Sequence, residues 1–369
     1  MQPQVSLLDT FQPIPDPRQL AKCEHRLVDL LVIAAATLLC GGEGFNDMEL
    51  FARTRLDWLK TFLELPGGPP GHDTFNRLFQ ALDPQAFLDA FARWVAAVRL
   101  PHAGEVVALD GKALRRAVRP GQSVRHLISV WACENRLVLG QRQVDDKSNE
   151  ITAVPALLRA LDLAGCIVTA DALHCQKTIA KEITEADADY VLALKGNQGT
   201  VHGEVKSCLD DAIGREAREL ATLETIDKDH GRVEVRRYWQ SEQIGWFADR
   251  KKWEGLRSVG VVESERTVGR KTTVERRYYL SSLPLDVATF ARAVRGHWGI
   301  ENRLHWCLDV VMREDQSRVR SGHAAQNLAL VRKWALNRLR QDRTRPASLR
   351  GKRLVAAWDR DFLRQLLTA

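Results

Sequence analysis

Apolar residues in the first quarter of the chain recur at helical spacing. The stretch from 25 to 40 is apolar along a whole predicted helix, and shorter amphipathic segments follow it, separated by glycine- and proline-rich turns such as 66–72. The pair Asp83 and Pro84 is typical of a helix start, because proline is tolerated at the first helical position. Residues 1–98 are therefore predicted to form an all-helical N-terminal domain.

The spacing changes to that of β-strands near residue 105. β-branched runs with short connections predict three consecutive antiparallel strands, and two apolar runs set between helical segments predict buried strands. The five runs are 105–110, 125–132, 136–144, 166–171 and 189–194. This order indicates an α/β fold in which a mixed sheet is flanked by helices. Residues 99–200 are predicted to form the first part of this core.

Residues 201–285 differ from the core around them. After one helix, three segments rich in arginine and aromatic residues alternate as strands do, which predicts a mostly β insertion subdomain. Helical spacing returns in residues 286–345, the predicted second part of the core, where Ile300 and Leu304 begin an apolar stripe. Residues 346–369 are interpreted as a basic C-terminal tail.

Composition narrows the class of protein. The 369 residues are 45% hydrophobic and 27% charged, as in an ordinary soluble protein, and the longest apolar run is too short to span a membrane. Seven cysteines without metal-site spacing argue against a disulfide framework and a structural zinc site. These features predict a cytoplasmic protein.

The positive charge is concentrated at one end of the chain. The net charge is +7, yet residues 1–100 carry 9 Lys and Arg against 12 Asp and Glu, whereas residues 313–369 carry 14 against 5. A basic block is expected in a protein that binds nucleic acid, although a solvated helical face gives the same pattern. If the block contacts phosphates, removing residues 342–369 is expected to weaken DNA binding nonspecifically.

Three acids occupy positions where a site is expected. Asp110 and Asp171 end predicted apolar strands, and open sheets place their sites at such strand ends. Glu301 borders the apolar helical stripe beyond the insertion. Carboxylates that converge repel one another unless divalent cations neutralise them, and oxygen ligands with open water positions suit Mg²⁺ or Mn²⁺. A pair of such ions can promote phosphodiester cleavage.

Two other interpretations of Glu301 remain open. The acid could form a salt bridge with Arg295, His297 or His305. It could also join His297 and His305 as ligands of a transition metal such as zinc, since the three lie on one predicted helical face. This second interpretation is disfavoured, because helical residues eight apart are separated by roughly 12 Å along the axis, too far for one ion.

Five motifs follow one another along the chain: VVALDGKALRRA, IVTADALHCQK, YVLALKGNQ, DKDHGRVEVRR and HWGIENRLHWCLDVVMREDQSR. This series resembles that of the DDE transposases of bacterial insertion sequences, in particular the H-repeat-associated (ISAs-type) group, over almost the whole chain. The resemblance implies an RNase H-like catalytic core with a β-rich insertion, preceded by a helical domain. It also implies that Asp110, Asp171 and Glu301 are the catalytic metal ligands for two Mg²⁺ or Mn²⁺ ions.

The resemblance implies a function as well. A protein of this group is expected to bind the terminal inverted repeats of its element, hydrolyse a phosphodiester at each end and transfer the strand to target DNA. Its expected partners are double-stranded DNA and further copies of the chain, in a homodimer or larger synaptic complex, without a membrane and at the nucleoid. Two alternatives remain: a catalytically silent DNA-binding descendant and an RNase H-like nuclease without strand transfer.

Polar residues in and near the motifs are predicted to contact DNA. They are Lys112, Lys195, Asn197, Gln198, His230, Arg232, Arg236, His297, Arg318 and Arg320. A polar turn or a charged hairpin would explain part of this pattern. The wider superfamily has a Tyr, an Arg and a Lys around the Glu, but the matching positions here hold Val294, His297 and Leu308. The roles of those basic residues therefore do not transfer directly.

The tryptophans near the motifs have two predicted roles. Trp298 and Trp306 are predicted to be core residues. Trp239, Trp246 and Trp253 in the insertion could instead stack on an unpaired base at the DNA end.

Overall fold

The computed structural model describes residues 5–100, 102–117, 124–144, 150–229 and 231–368. Its helices are α1 (Leu7–Phe11), α2 (Leu27–Leu39), α3 (Phe45–Thr54), α4 (Leu56–Leu59), α5 (His72–Ala81), α6 (Pro84–Val98), α7 (Glu150–Arg159), α8 (Lys177–Glu185), α9 (Thr200–Gly214), α10 (Val287–Gly299), α11 (Ala324–Gln341), α12 (Leu349–Trp358) and α13 (Arg360–Thr368). Its strands are β1 (Val106–Ala113), β2 (His126–Ala132), β3 (Leu137–Val144), β4 (Ile167–Ala170), β5 (Asp189–Leu194), β6 (Ala221–Asp229), β7 (Arg232–Ser241), β8 (Ser258–Val268) and β9 (Lys271–Ser281). Within these ranges no helix has both the length and the apolar character that a membrane span requires.

Hydrogen bonds join the strands in one mixed sheet with the order β3-β2-β1-β4-β5-β9-β8-β7-β6. Strands β1, β4 and β5 are parallel neighbours, and β2 lies antiparallel between β1 and β3. β9 pairs antiparallel with β5, so β6 to β9 extend the core sheet instead of building a sheet of their own. The pairing covers an edge of β5 that would otherwise expose unpaired backbone groups. The mixed sheet flanked by helices confirms the predicted α/β class.

Aromatic side chains form the centre of the helical part. Trp334 of α11 is fully buried, and the ring centroids of Phe87 and Phe91 from α6 lie 5.2 and 5.1 Å from its own. Helix α11 also contacts the sheet, because Asn337 Nδ2 donates a hydrogen bond to Val138 O of β3 (3.0 Å). A helix from late in the chain therefore connects the N-terminal helices to the sheet.

Residues 346–369 are not the basic tail that the sequence interpretation described. They include α12 and α13, which pack on α2. Phe362, Leu363, Leu366 and Leu367 of α13 are all buried. The high proportion of arginine in this stretch concealed the regular apolar face of α13.

Several basic residues of this region are buried because they bond to helix ends. Arg353 Nε donates to Leu38 O at the end of α2 (3.1 Å), and Lys352 Nζ donates to Leu339 O near the end of α11 (2.9 Å). Such carbonyls lack partners within their helices and carry the negative end of the helix dipole. These charges therefore stabilise the fold. Deleting residues 342–369 is now expected to unfold the helical part, not merely to remove phosphate contacts.

Helix α10 crosses the sheet at a glycine. A Cβ atom on Gly296 would lie 2.9 Å from Val106 Cγ1 and 3.1 Å from Val106 Cβ. The Cys133 thiol donates to Gly296 O (3.2 Å) and fixes the same contact. The close approach places the segment that follows α10 next to β1 and β4.

Gly296→Ala is expected to destabilise the protein by about 1–3 kcal/mol, because the buried Val106 side chain leaves no room for a methyl group. Gly203→Ala in α9 is the matched control, since no atom lies within 4 Å of its added Cβ. Helix propensity predicts that this control gains up to about 1 kcal/mol. Urea unfolding measures both variants, and equal stabilities would contradict the close packing of α10 on β1.

Candidate active site

Asp110 and Asp171 are neighbours because their strands are parallel and adjacent. The register pairs Leu109 of β1 with Ala170 of β4, the residues that precede the two acids. β4 ends there, whereas β1 continues to Ala113 in its pairing with β2. The prediction that Asp110 ends its strand was therefore wrong: this acid lies where pairing with β4 stops. Both carboxylates reach the same cavity.

Glu301 comes from a widened helical turn that continues α10. The segments Ile300–His305 and Cys307–Val311 are π-helical, with each N–H bonding to a carbonyl five residues earlier. The side chains of Ile300 and Leu304 are buried, as the apolar stripe predicted. The Glu301 side chain stays half-exposed at the border of this stripe. Such π-helical turns occur frequently at functional sites.

A cavity of about 210 Å³ joins the three acids. Its wall combines these acids, two of the predicted DNA-binding residues and side chains from β4, β9 and α10. The lining includes Asp110, Asp171, Glu301, Lys195, His297, Thr169, Arg277, Tyr279 and Trp298. The structure thus brings together residues from five parts of the chain that are far apart in sequence.

The carboxylates of Asp110 and Glu301 lie close enough for the charge of one to change the pKa of the other. Burial, together with the charges of Glu301 and Asp171, raises the pKa of Asp110 to about 8. The neighbouring His305 ring lowers the pKa of Glu301 to about 2. A negative charge on one of these two acids disfavours a negative charge on the other. A divalent cation would neutralise both charges and remove the repulsion. The donor set therefore fits a divalent metal ion.

Asp171 lies at one end of a chain of close contacts between acids and histidines. His174 Nδ1 lies 2.8 Å from Asp171 Oδ1, His174 Nε2 lies 3.3 Å from Glu150 Oε2, and Glu150 Oε1 lies 3.1 Å from His126 Nδ1. Burial alone would lower the pKa of His174, but the Asp171 and Glu150 carboxylates raise it to about 9. Burial alone would raise the pKa of Asp171, but His174 lowers it. Asp171 is therefore ionised and fixed in orientation.

Glu150 also lies behind Asp110. A Cβ atom on Gly111 would be 2.6 Å from Glu150 Oε2, so a larger residue there would displace this carboxylate. Glu150 thus contacts β1 directly and reaches Asp171 through His174. Sequence analysis assigned no role to Glu150 or His174. The one available signal was a histidine three residues after a strand-terminal acid.

The two histidines that flank Glu301 have different partners. His297 Nδ1 lies 3.1 Å from Thr169 Oγ1, and burial lowers the pKa of His297 to about 4, so its ring is neutral. His305 Nδ1 lies 3.4 Å from Glu301 Oε2 and 3.6 Å from Asp110 Oδ2. Among the described residues, Asp110, Glu301 and His305 form the group close enough to share an ion. The site of His297, Glu301 and His305 considered from the sequence is therefore not formed.

Lys112 is not available to DNA, contrary to its predicted role. Its ammonium lies 3.0 Å from Glu314 Oε2 and 3.5 Å from Asp315 Oδ1, and it also pairs with Asp309. Burial alone would lower the pKa of Lys112, but these carboxylates raise it. The cation fixes the chain after the Glu301 segment to β1.

Asn197 and Gln198 use their amide groups within the protein. Asn197 Nδ2 donates to Ala172 O (2.7 Å), and Gln198 Nε2 donates to Cys175 O (2.6 Å). These two bonds fasten the loop that follows the second aspartate. Lys195, two residues before Asn197, is exposed at the edge of the cavity, as a DNA contact requires.

Arg232 and Arg236 lie in a cleft of about 390 Å³ between β7 to β9 and α10, here called the arginine cleft. Its lining includes Arg232, Glu234, Arg236, Arg266, Glu275, Arg277, Arg295, Trp298 and Asn302. Arg236 is buried and paired with Asp227 and Glu234, so its charge is compensated. Arg277 and Trp298 also line the cavity of the acids, so the two spaces lie side by side and share part of a wall.

Arg318 and Arg320 do not reach the cavity. They line a separate groove between residues 313–321 and the start of α3. Arg320 Nε donates to Arg116 O (2.9 Å), whereas Arg318 is exposed. His230 lies outside the described residues.

The predicted roles of the tryptophans need correction. Trp298 and Trp306 are 38% and 55% exposed, so they are not core residues. Trp253 is buried, while Trp246 is exposed and Trp239 is partly buried. Neither tryptophan belongs to the stripe that Ile300 and Leu304 begin: Trp298 lies in α10 before the π-helical turns, and Trp306 lies between them.

Family comparisons cover both parts of the chain. A family model described as Transposase DDE domain matches residues 101–338, and a model described as DDE_Tnp_1-associated matches residues 8–95. This chain belongs to the DDE transposase family. The predicted RNase H-like core with a preceding helical domain is thereby confirmed, and the strand order β3-β2-β1-β4-β5 agrees with it.

Several DDE transposase-family relatives match this chain along almost its whole length. It is 38% identical over 370 residues to the H repeat-associated putative transposase YhhI of Escherichia coli K12, covering 98% of the chain and 97% of the relative. It is 37% identical over 372 residues to the putative transposase YncI of Escherichia coli O157:H7, covering 99% and 95%. A piggyBac transposase, solved in a synaptic complex with hairpin DNA, aligns with 98% of this chain and 81% of its own at TM-score 0.45 and 11% identity.

Proposed function

We propose that this protein is the DNA transposase of an insertion sequence. It binds the terminal inverted repeats, cuts a phosphodiester bond at each end and joins the freed ends to target DNA. The observation that carries the proposal is the convergence of Asp110, Asp171 and Glu301 on one cavity, which lies beside the arginine cleft. Family membership supports the choice of DNA as substrate.

The cofactor in this proposal is Mg²⁺ or Mn²⁺, with two ions as the family resemblance implies. Bound ions would activate the attacking oxygen and stabilise the leaving oxygen. Asp110 and Asp171 hold them, and Glu301 completes the set. His174 keeps Asp171 ionised, and the neutral His297 ring offers a hydrogen bond to phosphate.

Both chemical steps are displacements at phosphorus. In the first step a water oxygen attacks, the bond from phosphorus to the 3′ oxygen breaks, and the transposon strand keeps a 3′-hydroxyl. In the second step this hydroxyl attacks a target phosphodiester, whose own 3′ oxygen leaves. Neither step requires a covalent bond between protein and DNA. Because two ends are cut and joined together, the working form is a homodimer or larger synaptic complex.

The arginine cleft supplies the path for the DNA backbone. Arg232 and Arg266 form no ion pair with another described residue, unlike Arg236 and Arg277 in the same cleft. Unpaired guanidinium groups beside an open cleft favour phosphate, which they bind in a bidentate manner. The cleft adjoins the cavity of the three acids, because Trp298 lines both. A strand bound there would present a phosphodiester to the cavity.

The double variant Arg232→Gln with Arg266→Gln is expected to weaken binding to inverted-repeat DNA. If each arginine neutralises one phosphate, the slope of log K against log salt falls by roughly 1.8. Fluorescence anisotropy across a salt series measures this slope. The control double variant Arg343→Gln with Arg350→Gln removes the same two charges from exposed sites outside the cleft and is expected to leave the slope unchanged. Equal effects of the two variants would contradict the assigned path.

A strand-transfer assay tests the proposed function. Wild-type protein is incubated with Mn²⁺, a supercoiled plasmid and labelled DNA in which the element's inverted repeat is followed by flanking sequence. The proposal predicts label joined covalently to the plasmid. End cleavage without joining would instead identify a nuclease, and binding without either reaction would identify a silent descendant.

A further inference from the structure

The fold places the His305 side chain beside two of the three acids, Asp110 and Glu301. Its side chain is buried, and Nδ1 faces two carboxylates, 3.4 Å from Glu301 Oε2 and 3.6 Å from Asp110 Oδ2. One donor atom from each of these residues lies within 4.8 Å of the other two. His305 Nε2 is also buried, and it has no hydrogen-bond partner among the described residues. The polar contacts of the ring are therefore directed to the two acids.

These separations match the spacing of ligands around one ion. Nitrogen and oxygen ligands lie roughly 2.0–2.2 Å from Mn²⁺- or Zn²⁺-sized ions, so adjacent ligands are about 3 Å apart. The distances from His305 Nδ1 to the two carboxylate oxygens exceed this spacing by only a few tenths of an ångström. Small side-chain rotations would complete a shared set of ligands.

We propose that His305 is a nitrogen ligand of the ion held by Asp110 and Glu301, and that it makes this site select Mn²⁺ over Mg²⁺. Mg²⁺ binds oxygen donors almost exclusively, whereas imidazole strengthens the binding of transition metals. The inference rests on the proposed function, since it requires a metal ion at the acids. The competing role for His305 is that of a charge partner that never binds the ion.

Metal titration separates the two roles. The dissociation constants of Mn²⁺ and Mg²⁺ are measured by calorimetry for the wild type, for His305→Asn and for the control His102→Asn, whose side chain is exposed outside the cavity. The proposal predicts that His305→Asn loses about tenfold or more in Mn²⁺ affinity, as expected for a lost ligand, and less than about twofold in Mg²⁺ affinity. The control retains both affinities. An equal change for the two ions would overturn the proposal.

Pulsed electron paramagnetic resonance of bound Mn²⁺ keeps the proposal testable if His305→Asn fails to fold. A directly coordinated imidazole gives a ¹⁴N coupling, which is expected in the wild type and in His297→Asn. Its absence from the wild type, or its loss in His297→Asn, would overturn the assignment to His305. Failure of the metal site and failure of the role of His305 give different results. The absence of any bound ion refutes the metal site itself, whereas bound Mn²⁺ without nitrogen coupling refutes only the role of His305.

Discussion

Glu301→Gln is expected to slow DNA cleavage about 10³-fold while binding to inverted-repeat DNA persists. Glutamine keeps the shape of the side chain but removes the charge that a metal ion requires, and the lost stabilisation of several kcal/mol corresponds to about a 10³-fold slower reaction. Binding persists because the arginine cleft supplies the phosphate contacts. Single-turnover cleavage of labelled DNA and fluorescence anisotropy measure the two properties.

The matched control for this variant is Glu185→Gln. Glu185 is an exposed acid at the end of α8 that pairs with Lys181, so the same chemical change there is expected to leave both cleavage and binding unaltered. Cleavage by Glu301→Gln at close to the wild-type rate would refute its assignment as a metal ligand.

His174→Gln is expected to reduce metal affinity and cleavage by about 10- to 100-fold, the usual effect of removing a group that orients a metal ligand. Glutamine cannot supply the positive charge that lies between Asp171 and Glu150. The second aspartate then loses its fixed orientation, and Glu150 remains buried near a single histidine, His126. Mn²⁺ titration and cleavage rates measure the effect.

If His174 acts by positioning Asp171, a second result is expected for His174→Gln. Raising the Mn²⁺ concentration should restore most of the cleavage rate, because the ligand remains present and only its orientation is lost. A rate that stays low at saturating Mn²⁺ would assign His174 a purely structural role or a direct role in the reaction. His102→Gln, at an exposed histidine outside the cavity, is expected to change neither property.

The two aspartates could be singled out from the sequence because hydrophobic spacing marks the strands that carry them. Asp110 and Asp171 each follow buried β-branched runs, and parallel neighbouring strands place such residues side by side. Glu301 could be connected to them only through the motif series, since nothing in local spacing shows that α10 crosses β1 at Gly296.

The surroundings of the three acids were not predictable in the same way. The closeness of His305 to Asp110 depends on tertiary packing after a π-helical turn, which no pattern of apolar residues reveals. Glu150 lies at the start of α7, and its contact with His174 depends on tertiary packing. Lys112 was misassigned for a related reason, because the carboxylates that neutralise it follow nearly two hundred residues later.

Charge was the least reliable signal at the C-terminus. A cluster of arginines and lysines predicts a nucleic-acid surface, but Arg353 and Lys352 are buried at the ends of α2 and α11. Long basic side chains bury their aliphatic stems and direct their charged groups to carbonyls. Net charge alone therefore does not distinguish basic side chains that bond to helix-end carbonyls from basic side chains that bind phosphate.

The central claim is that the three carboxylates hold metal ions that cut DNA at the transposon end. The most direct test uses wild-type protein and a duplex in which an inverted repeat joins flanking sequence, with the cut position and end chemistry mapped on a sequencing gel. The account predicts a break at the repeat boundary that leaves a 3′-hydroxyl on the repeat, occurs with Mg²⁺ or Mn²⁺, stops with a chelator and is absent from Asp171→Asn. Cleavage that continues with the chelator, or in Asp171→Asn, would contradict it.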